Sequence, residues 1–198
     1  MNHLATSKED ILAVSRDLIK ENGWAAVSIR AVASRCSVSA GTIYNYYESK
    51  ADLLSDTIES IWHEIFFHPE DEQIFHDVES CISWIYERLE YGNRQFPGFF
   101  SLHSFGFMRD EKTSGKKRMM KTWGHILNGL CEVLENDPKV RADVFDQEFT
   151  EKKFADILFS LILVSMIRQD YDPSSVLMLV KKTLYVTVQS QAKFQKQV

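Results

Sequence analysis

At 198 residues, 44% hydrophobic and 26% charged, the chain has the make-up of an ordinary soluble globular protein, with apolar material for one large or two small cores. Its formal net charge of −5 excludes a uniformly basic nucleic-acid binder but not a local one: residues 1–50 hold six basic against five acidic side chains, so the charge is +1 there and −6 over the remainder. DNA responds to charge only within a Debye length, roughly 8–10 Å.

Three widely spaced cysteines, Cys36, Cys81 and Cys131, contain no C-x-x-C pair. Neither a disulfide framework nor a zinc cluster is expected, and small buried hydrophobes in a reducing compartment are. The opening MNHLATSKED has no apolar core of a secretion signal. The most apolar run, Ile157–Ile167, is far short of the about 20 residues that span a bilayer. A cytoplasmic protein without membrane contact is expected.

The hydrophobic pattern is helical almost throughout. Ile11, Leu12, Val14, Leu18 and Ile19 recur at i, i+3, i+4 and i+7, with Ser7 as N-cap and Asn22-Gly23 as the stop. Ser28 caps a second helix whose apolar face is Ile29, Val32, Ala33 and Cys36; Ser37-Val38-Ser39 breaks the pattern; a third short helix runs through Ile43 to Tyr47. Ser49 caps a fourth, with Leu54, Ile58, Ile61 and Ile65 in one stripe up to His68-Pro69.

Phe75, Val78, Ile82, Ile85 and Leu89 mark a fifth helix, which Gly92 and Pro97 are expected to end. Phe99–Met108 is a short aromatic segment, and Met119, Trp123, Ile126, Leu130 and Val133 predict a long helix stopping at Asp137-Pro138. Residues 139–149 read as a loop. Two more helices follow, one over Phe154–Ile167 and one with Asp172 as cap and Pro173 at its first position. No alternating strand pattern occurs, so the fold class is all-α with about nine helices.

Two short helices joined by a tight turn make a DNA-binding helix-turn-helix. The second helix is apolar on the side that braces the third. The third turns Ile43 and Tyr47 inward and leaves Ser39, Ala40, Thr42, Tyr44, Asn45 and Tyr46 outward. Small Ala40 and Gly41 allow close approach, hydroxyls suit phosphate oxygens, and Asn45 suits adenine.

The stretch SIRAVASRCSVSAGTIYNYYESKADLL, Ser28 to Leu54, resembles the signature of the tetracycline-repressor (TetR) family, and the helix before Gly23 agrees. The resemblance covers about the first quarter of the chain. It implies an N-terminal three-helix domain over 1–50, a larger helical ligand-binding and dimerisation domain over 51–198, and a homodimer on a palindromic double-stranded operator. It places Ser28, Thr42, Tyr44, Tyr46 and Lys50 at phosphate or groove contacts, and Arg30, Ala40 and Asn45 at base-reading ones. The one departure is Ser37, where the family turn usually carries glycine; a left-handed backbone there costs a non-glycine residue roughly 1 kcal/mol.

Beyond Asp71 nothing specific is resembled. The last two helices are apolar on more than one face, and the resemblance implies that Phe154, Ile157, Leu158, Leu161, Ile162, Ser165, Val176, Leu179, Val180, Thr183, Leu184 and Thr187 supply a dimer bundle. A pocket for an apolar or aromatic effector is expected among Trp62, Phe66, Phe99, Phe100, His103, Phe105, Phe107, Met119 and Trp123. His63, His103 and His125 offer at most a loose metal set, and neither metal nor cofactor is expected.

Gly-rich phosphate loops, G-x-S-x-G and H-E-x-x-H are absent from the sequence, which disfavours an enzyme. The competing classes are a helical interaction module whose helix-turn-helix no longer binds DNA, and a small helical enzyme. The leading expectation is a DNA-binding regulator, acting as a repressor, that a small molecule releases.

Overall fold

The computed structural model describes residues 6–66, 75–100 and 114–185, with side chains for all but 114–122. All regular structure among the described residues is helical: α1 Lys8–Asn22, α2 Ile29–Arg35, α3 Ala40–Tyr44, α4 Lys50–Phe66, α5 Val78–Gln95, α6 Ser114–Asn136, α7 Glu151–Arg168 and α8 Ser174–Val180. A 3-10 turn, Trp24–Ala26, follows α1, and a π-helical turn, Lys181–Tyr185, continues α8. These eight α-helices approach the expected nine; most of the Phe99–Met108 segment lies outside the described residues. No described helix is long and apolar enough to cross a membrane.

The helix starts obey the capping chemistry read from the sequence. Ser7 and Asp10 form a reciprocal capping box on α1, the Asp10 N–H donating to Ser7 Oγ at 3.0 Å and the Ser7 N–H to Asp10 Oδ2 at 2.8 Å. Ser49 accepts from the Asp52 N–H at 3.1 Å ahead of α4. At α8 the cap differs slightly. The helix begins one residue later than expected, with Pro173 as the flanking residue, while Asp172 accepts from the N–H and hydroxyl of Ser174.

The chain divides into two compact units, Met1–Asp71 with Tyr91–Thr122, and Glu72–Glu90 with Trp123–Val198. In the first unit α1 lies along α4. Ile11, Leu18 and Ile19 are buried from one helix, and Leu53, Ile58, Ile61 and Ile65 from the other. Ser15 and Thr57, both fully buried, donate to carbonyls one turn back, at Ile11 and Leu53, which satisfies their hydroxyls. Lys8 pairs with Asp56, and Arg16 and Lys20 both reach Glu64, at 2.9 and 2.8 Å. The step from Lys8 to Arg16 equals that from Asp56 to Glu64, so the two helices run parallel in fixed register.

Gly92 does not end α5, which runs on to Gln95. The position is small for another reason: a Cβ there would lie 2.6 Å from Ile65 Cδ1 and 3.1 Å from Phe100 Cζ. Sequence pattern reads an isolated glycine as a stop; here it is a close approach within the first unit.

The second unit is organised around Asp137, a buried carboxylate just past α6. It accepts from the Val78 N–H at 3.0 Å, the Lys139 N–H at 2.9 Å and the Tyr185 hydroxyl, so one side chain ties α5, the 139–150 loop and the π-helical turn together. Hydrogen bonding to Asp137 adds to burial in holding the Tyr185 hydroxyl well above the usual phenol range. The loop is irregular, as expected, but it is packed: Phe145 and Phe149 meet Phe154 of α7. Arg141 anchors it by donating its N–H to Leu184 and its guanidinium to the Thr183 carbonyl.

Two expected outcomes follow from this packing. In Gly92→Ala the gain in helix propensity, about 1 kcal/mol, is outweighed by overpacking of about 1–3 kcal/mol, so thermal melting should show a lower Tm. Gly129→Ala on α6, where nothing lies within 4 Å of the added atom, should raise it; the reverse order would contradict the close contact.

The Lys139 ammonium, with help from the Ser80 N–H, draws the Asp77 carboxyl down to about 2. A depressed carboxyl stabilises the fold above its unfolded value and stops doing so as pH falls through the folded one. The Tm difference between the parent and Lys139→Met should therefore be full above pH about 4 and fade towards pH about 2. A difference that stays constant over this range would assign the effect of Lys139 to something other than Asp77.

Candidate nucleic-acid interface

The turn between α2 and α3 is built from backbone bonds that the sequence permits rather than demands. Ser37 adopts φ 56°, the left-handed conformation expected at that place. Its N–H bonds the Ser34 carbonyl at 3.1 Å, and the Val38 N–H bonds Ala33 at 2.9 Å, the double closure of a Schellman motif. Serine thus fills a glycine role, and the two extra hydrogen bonds help offset its strain. Val32, Ala33, Ile43 and Tyr47 are buried and hold α3 on α2.

The expected DNA-facing residues fall into two groups. In the first, the side chains are committed within the chain. Ser28 caps α2 by accepting from the Ala31 N–H at 3.1 Å. Ser39 caps α3 by accepting from the Thr42 N–H at 3.2 Å, and its hydroxyl meets that of Thr42 at 3.0 Å. Tyr46 is 42% exposed, yet its hydroxyl donates to the Thr6 carbonyl. That donor is already used by the chain itself, a contact between residues forty positions apart that no local sequence signal reveals.

In the second group the polar ends are uncommitted. Tyr44 is 55% exposed, and Arg30, Asn45 and Lys50 are exposed as well. Among the described residues none of these four has a side-chain hydrogen bond or ion pair. The other four cations of residues 1–50 do: Lys8 with Asp56, Arg16 and Lys20 with Glu64, and Arg35 with Glu21. The net charge of +1 over this stretch thus conceals a sorting, in which intramolecular pairs consume four cations and leave Arg30, at the start of α2, and Lys50, just past α3. Ala40 is half-buried at the first position of α3.

The expected pocket residues are distributed differently. Trp62, Phe66, Phe99 and Phe100 are all at most 7% exposed and form one ring cluster in the first unit, with Trp62 centroids 5.3–5.6 Å from the other three. Trp24 joins it, stacked on Phe99 at 5.8 Å. Trp123 belongs to the second unit, where it meets Phe159 edge-on at 5.9 Å. His103, Phe105 and Phe107 lie outside the described residues, as does the side chain of Met119.

The expected dimer residues mix two faces. Phe154, Leu158, Ile162, Val176, Val180 and Leu184 are buried within the chain's own second unit, so no partner can meet them. Ser165 is bonded there to the Tyr86 hydroxyl at 2.8 Å, and Thr183 lends its carbonyl to Arg141. Ile157 and Leu179 are exposed and Leu161 half-exposed, while Thr187 lies outside the described residues. Three large hydrophobic residues absent from the expected set, Val164, Ile167 and Met178, are exposed as well.

Among the described residues no group of three or more histidine, cysteine or carboxylate side chains is placed to hold a metal ion. All three cysteines are free, and burial raises each thiol, that of Cys81 to about 12, so none is primed as a nucleophile.

Comparison with known proteins agrees with this geometry. Residues 11–57 match the family model for bacterial regulatory proteins of the tetR family. The HTH-type transcriptional regulator UidR of Escherichia coli K12 is 35% identical over 48 residues, 24% of this chain and 24% of UidR, so the match spans about a quarter of that relative's length. A transcriptional regulator from Rhodococcus sp. Rha1 superposes with a TM-score of 0.65 at 16% identity, over 92% of this chain and all of that one. Salmonella enterica GusR gives 0.60 at 18% over 92% and 99%. Bacillus subtilis FadR, solved in complex with stearoyl-CoA, gives 0.60 at 18% over 88% and 97%. Residues 11–57 thus resemble the tetR family directly, and the chain shares the fold of these solved structures.

Proposed function

We propose that the chain is a DNA-binding transcriptional regulator, a repressor, whose helix-turn-helix over residues 1–50 grips one half of a palindromic operator. The observation that carries this reading is the sorting of charge and polarity on α2, α3 and the start of α4: Arg30, Tyr44, Asn45 and Lys50 are exposed and uncommitted. Lys50 takes the phosphate backbone, Tyr44 a phosphate or groove edge, and Arg30 and Asn45 the bases. Ser28 and Ser39 keep their caps as acceptors, which leaves the Ser28 hydroxyl proton and one proton of the bonded Ser39–Thr42 pair to offer outward. Tyr46 braces the element instead. A Cβ at Gly41 would meet nothing nearer than Ser39 Oγ at 3.6 Å, an ordinary contact, so the described packing does not demand glycine there, which is compatible with close approach of DNA.

Two heads are needed for a two-fold site. The stripe of exposed Ile157, Val164 and Ile167 and half-exposed Leu161 on α7, with exposed Met178 and Leu179 on α8, supports a homodimer through the body, residues 51–198. The same body takes an apolar or aromatic effector, a role supported by the ring cluster and by the acyl-CoA complex of the FadR relative. The effector releases DNA because it binds more tightly to the form whose heads do not fit the operator.

The test is a salt titration of the full chain on the DNA upstream of its own coding sequence. Lys50→Ala should weaken binding and reduce the slope of log K against log salt by about 2 for a dimer, roughly one per phosphate contact. Arg30→Ala should reduce discrimination at one base position by about 1–3 kcal/mol, and Tyr44→Ala should weaken binding without altering the melting curve. Unchanged affinity in all three would remove this surface from DNA.

Val164→Glu combined with Ile167→Glu should convert the dimer to a monomer in sedimentation while leaving the helical circular dichroism intact. A double variant that stays dimeric would move the interface elsewhere.

A further inference from the structure

The two indoles of the ring cluster, and a serine on the same helix as Trp62, carry polar atoms that the surrounding packing leaves unanswered. Among the described residues of the first unit, Trp62 Nε1, Trp24 Nε1 and Ser55 Oγ are buried without a hydrogen-bond partner. Trp62 is 4% exposed, so its N–H has no access to bulk water. Buried donors in native proteins are nearly always paired, and an orphan costs about 1–3 kcal/mol.

A buried water at the Trp62 N–H needs at least one further polar partner, which the rings around that indole do not offer. The described ring neighbours of Trp62 are Phe66, Phe99 and Phe100. The two indoles flank one ring, Trp62 edge-on to Phe99 at 5.3 Å and Trp24 stacked on it at 5.8 Å. Ser55 and Trp62 lie seven residues apart on α4, two turns along one face.

We infer that this cluster is the effector subsite, and that it takes an uncharged apolar molecule bearing a carbonyl, ether or hydroxyl oxygen, with that oxygen accepting the Trp62 N–H. The inference rests on the effector-released regulator proposed above and gives its ligand a chemistry. An indole N–H donates and never accepts, so the ligand supplies an acceptor. The ligand is neutral because an ionised carboxylate buried among rings needs a cation beside it. The described cations next to the cluster are spent: Lys20 lies over the Phe96 ring at 4.9 Å, and both Lys20 and Arg16 are held by Glu64.

Trp24 stands on the 3-10 turn that leads into α2, so a ligand that parts it from Phe99 acts directly on the entry to the helix-turn-helix.

The experiment is calorimetric titration of the full chain with paired aromatics of matched size, acetophenone against ethylbenzene and 2-acetylnaphthalene against 2-ethylnaphthalene, with benzoate as the charged control. In the parent the ketone of at least one pair should bind about three- to ten-fold tighter than its hydrocarbon, the range of one neutral hydrogen bond. In Trp62→Phe the gap should close while hydrocarbon binding persists, which also shows that the variant has kept the cluster. Equal affinities within both pairs of the parent would overturn the subsite without needing any variant. A gap that survives in Trp62→Phe, no binding by any probe, or tighter binding of benzoate than of acetophenone would overturn it as well.

Operator occupancy, measured on the same samples, separates this subsite from the reading it rests on. A Trp62-dependent gap with unchanged occupancy upholds the subsite and defeats release by its ligand. Normal operator binding with no probe bound defeats the subsite and leaves the DNA reading standing.

Discussion

The parallel packing of α1 against α4 is the constraint on which the helix-turn-helix end depends. Its free energy comes from apolar burial of Ile11, Leu18, Ile19, Leu53 and Ile61, each worth about 1.5–3 kcal/mol when fully removed from water. The ion pairs to Asp56 and Glu64 add little to stability, since partly exposed pairs contribute about 0–1 kcal/mol. What they set is register: shifting α1 by one turn would part three cations from two carboxylates at once. They also act by subtraction, because each cation spent on α4 is withdrawn from the outward field. What remains outward, Arg30 and Lys50, brackets the second and third helices.

Much of this end was legible in the sequence, because its signals are local. Ser7, Ser28 and Ser49 each cap the helix they precede, and Ser37 holds the left-handed turn that the resemblance implied. The inward pair Ile43 and Tyr47 follows from helical spacing alone. Illegible features were those whose partner lies far along the chain. The Tyr46 bond to Thr6 has no periodicity to announce it, and Gly92 is indistinguishable from a helix stop until Ile65 is seen across from it.

The body was harder to read for a different reason. α7 is apolar around most of its circumference, so spacing cannot separate the side that meets α5 from the side left exposed. The expected interface accordingly merged Phe154, Leu158 and Ile162, which are core, with Ile157 and Leu161, and it did not include the exposed Val164 and Ile167. Residues 139–149 read as a polar loop, yet Arg141 and Phe149 within it and Asp137 just before it make a structural joint, because a single buried carboxylate gathers donors from three places.

The contact between Gly92 and Ile65 has a consequence for how this lineage can vary. Neither position drifts alone without cost: a side chain at 92 displaces the Ile65 Cδ1 end or favours a shorter residue at 65. Viable descendants should therefore pass through compensated pairs, such as alanine at 92 with valine or alanine at 65. Such co-substitution would leave a statistical trace linking two helices more than twenty-five positions apart, and would record this packing even in relatives whose remaining sequence has diverged.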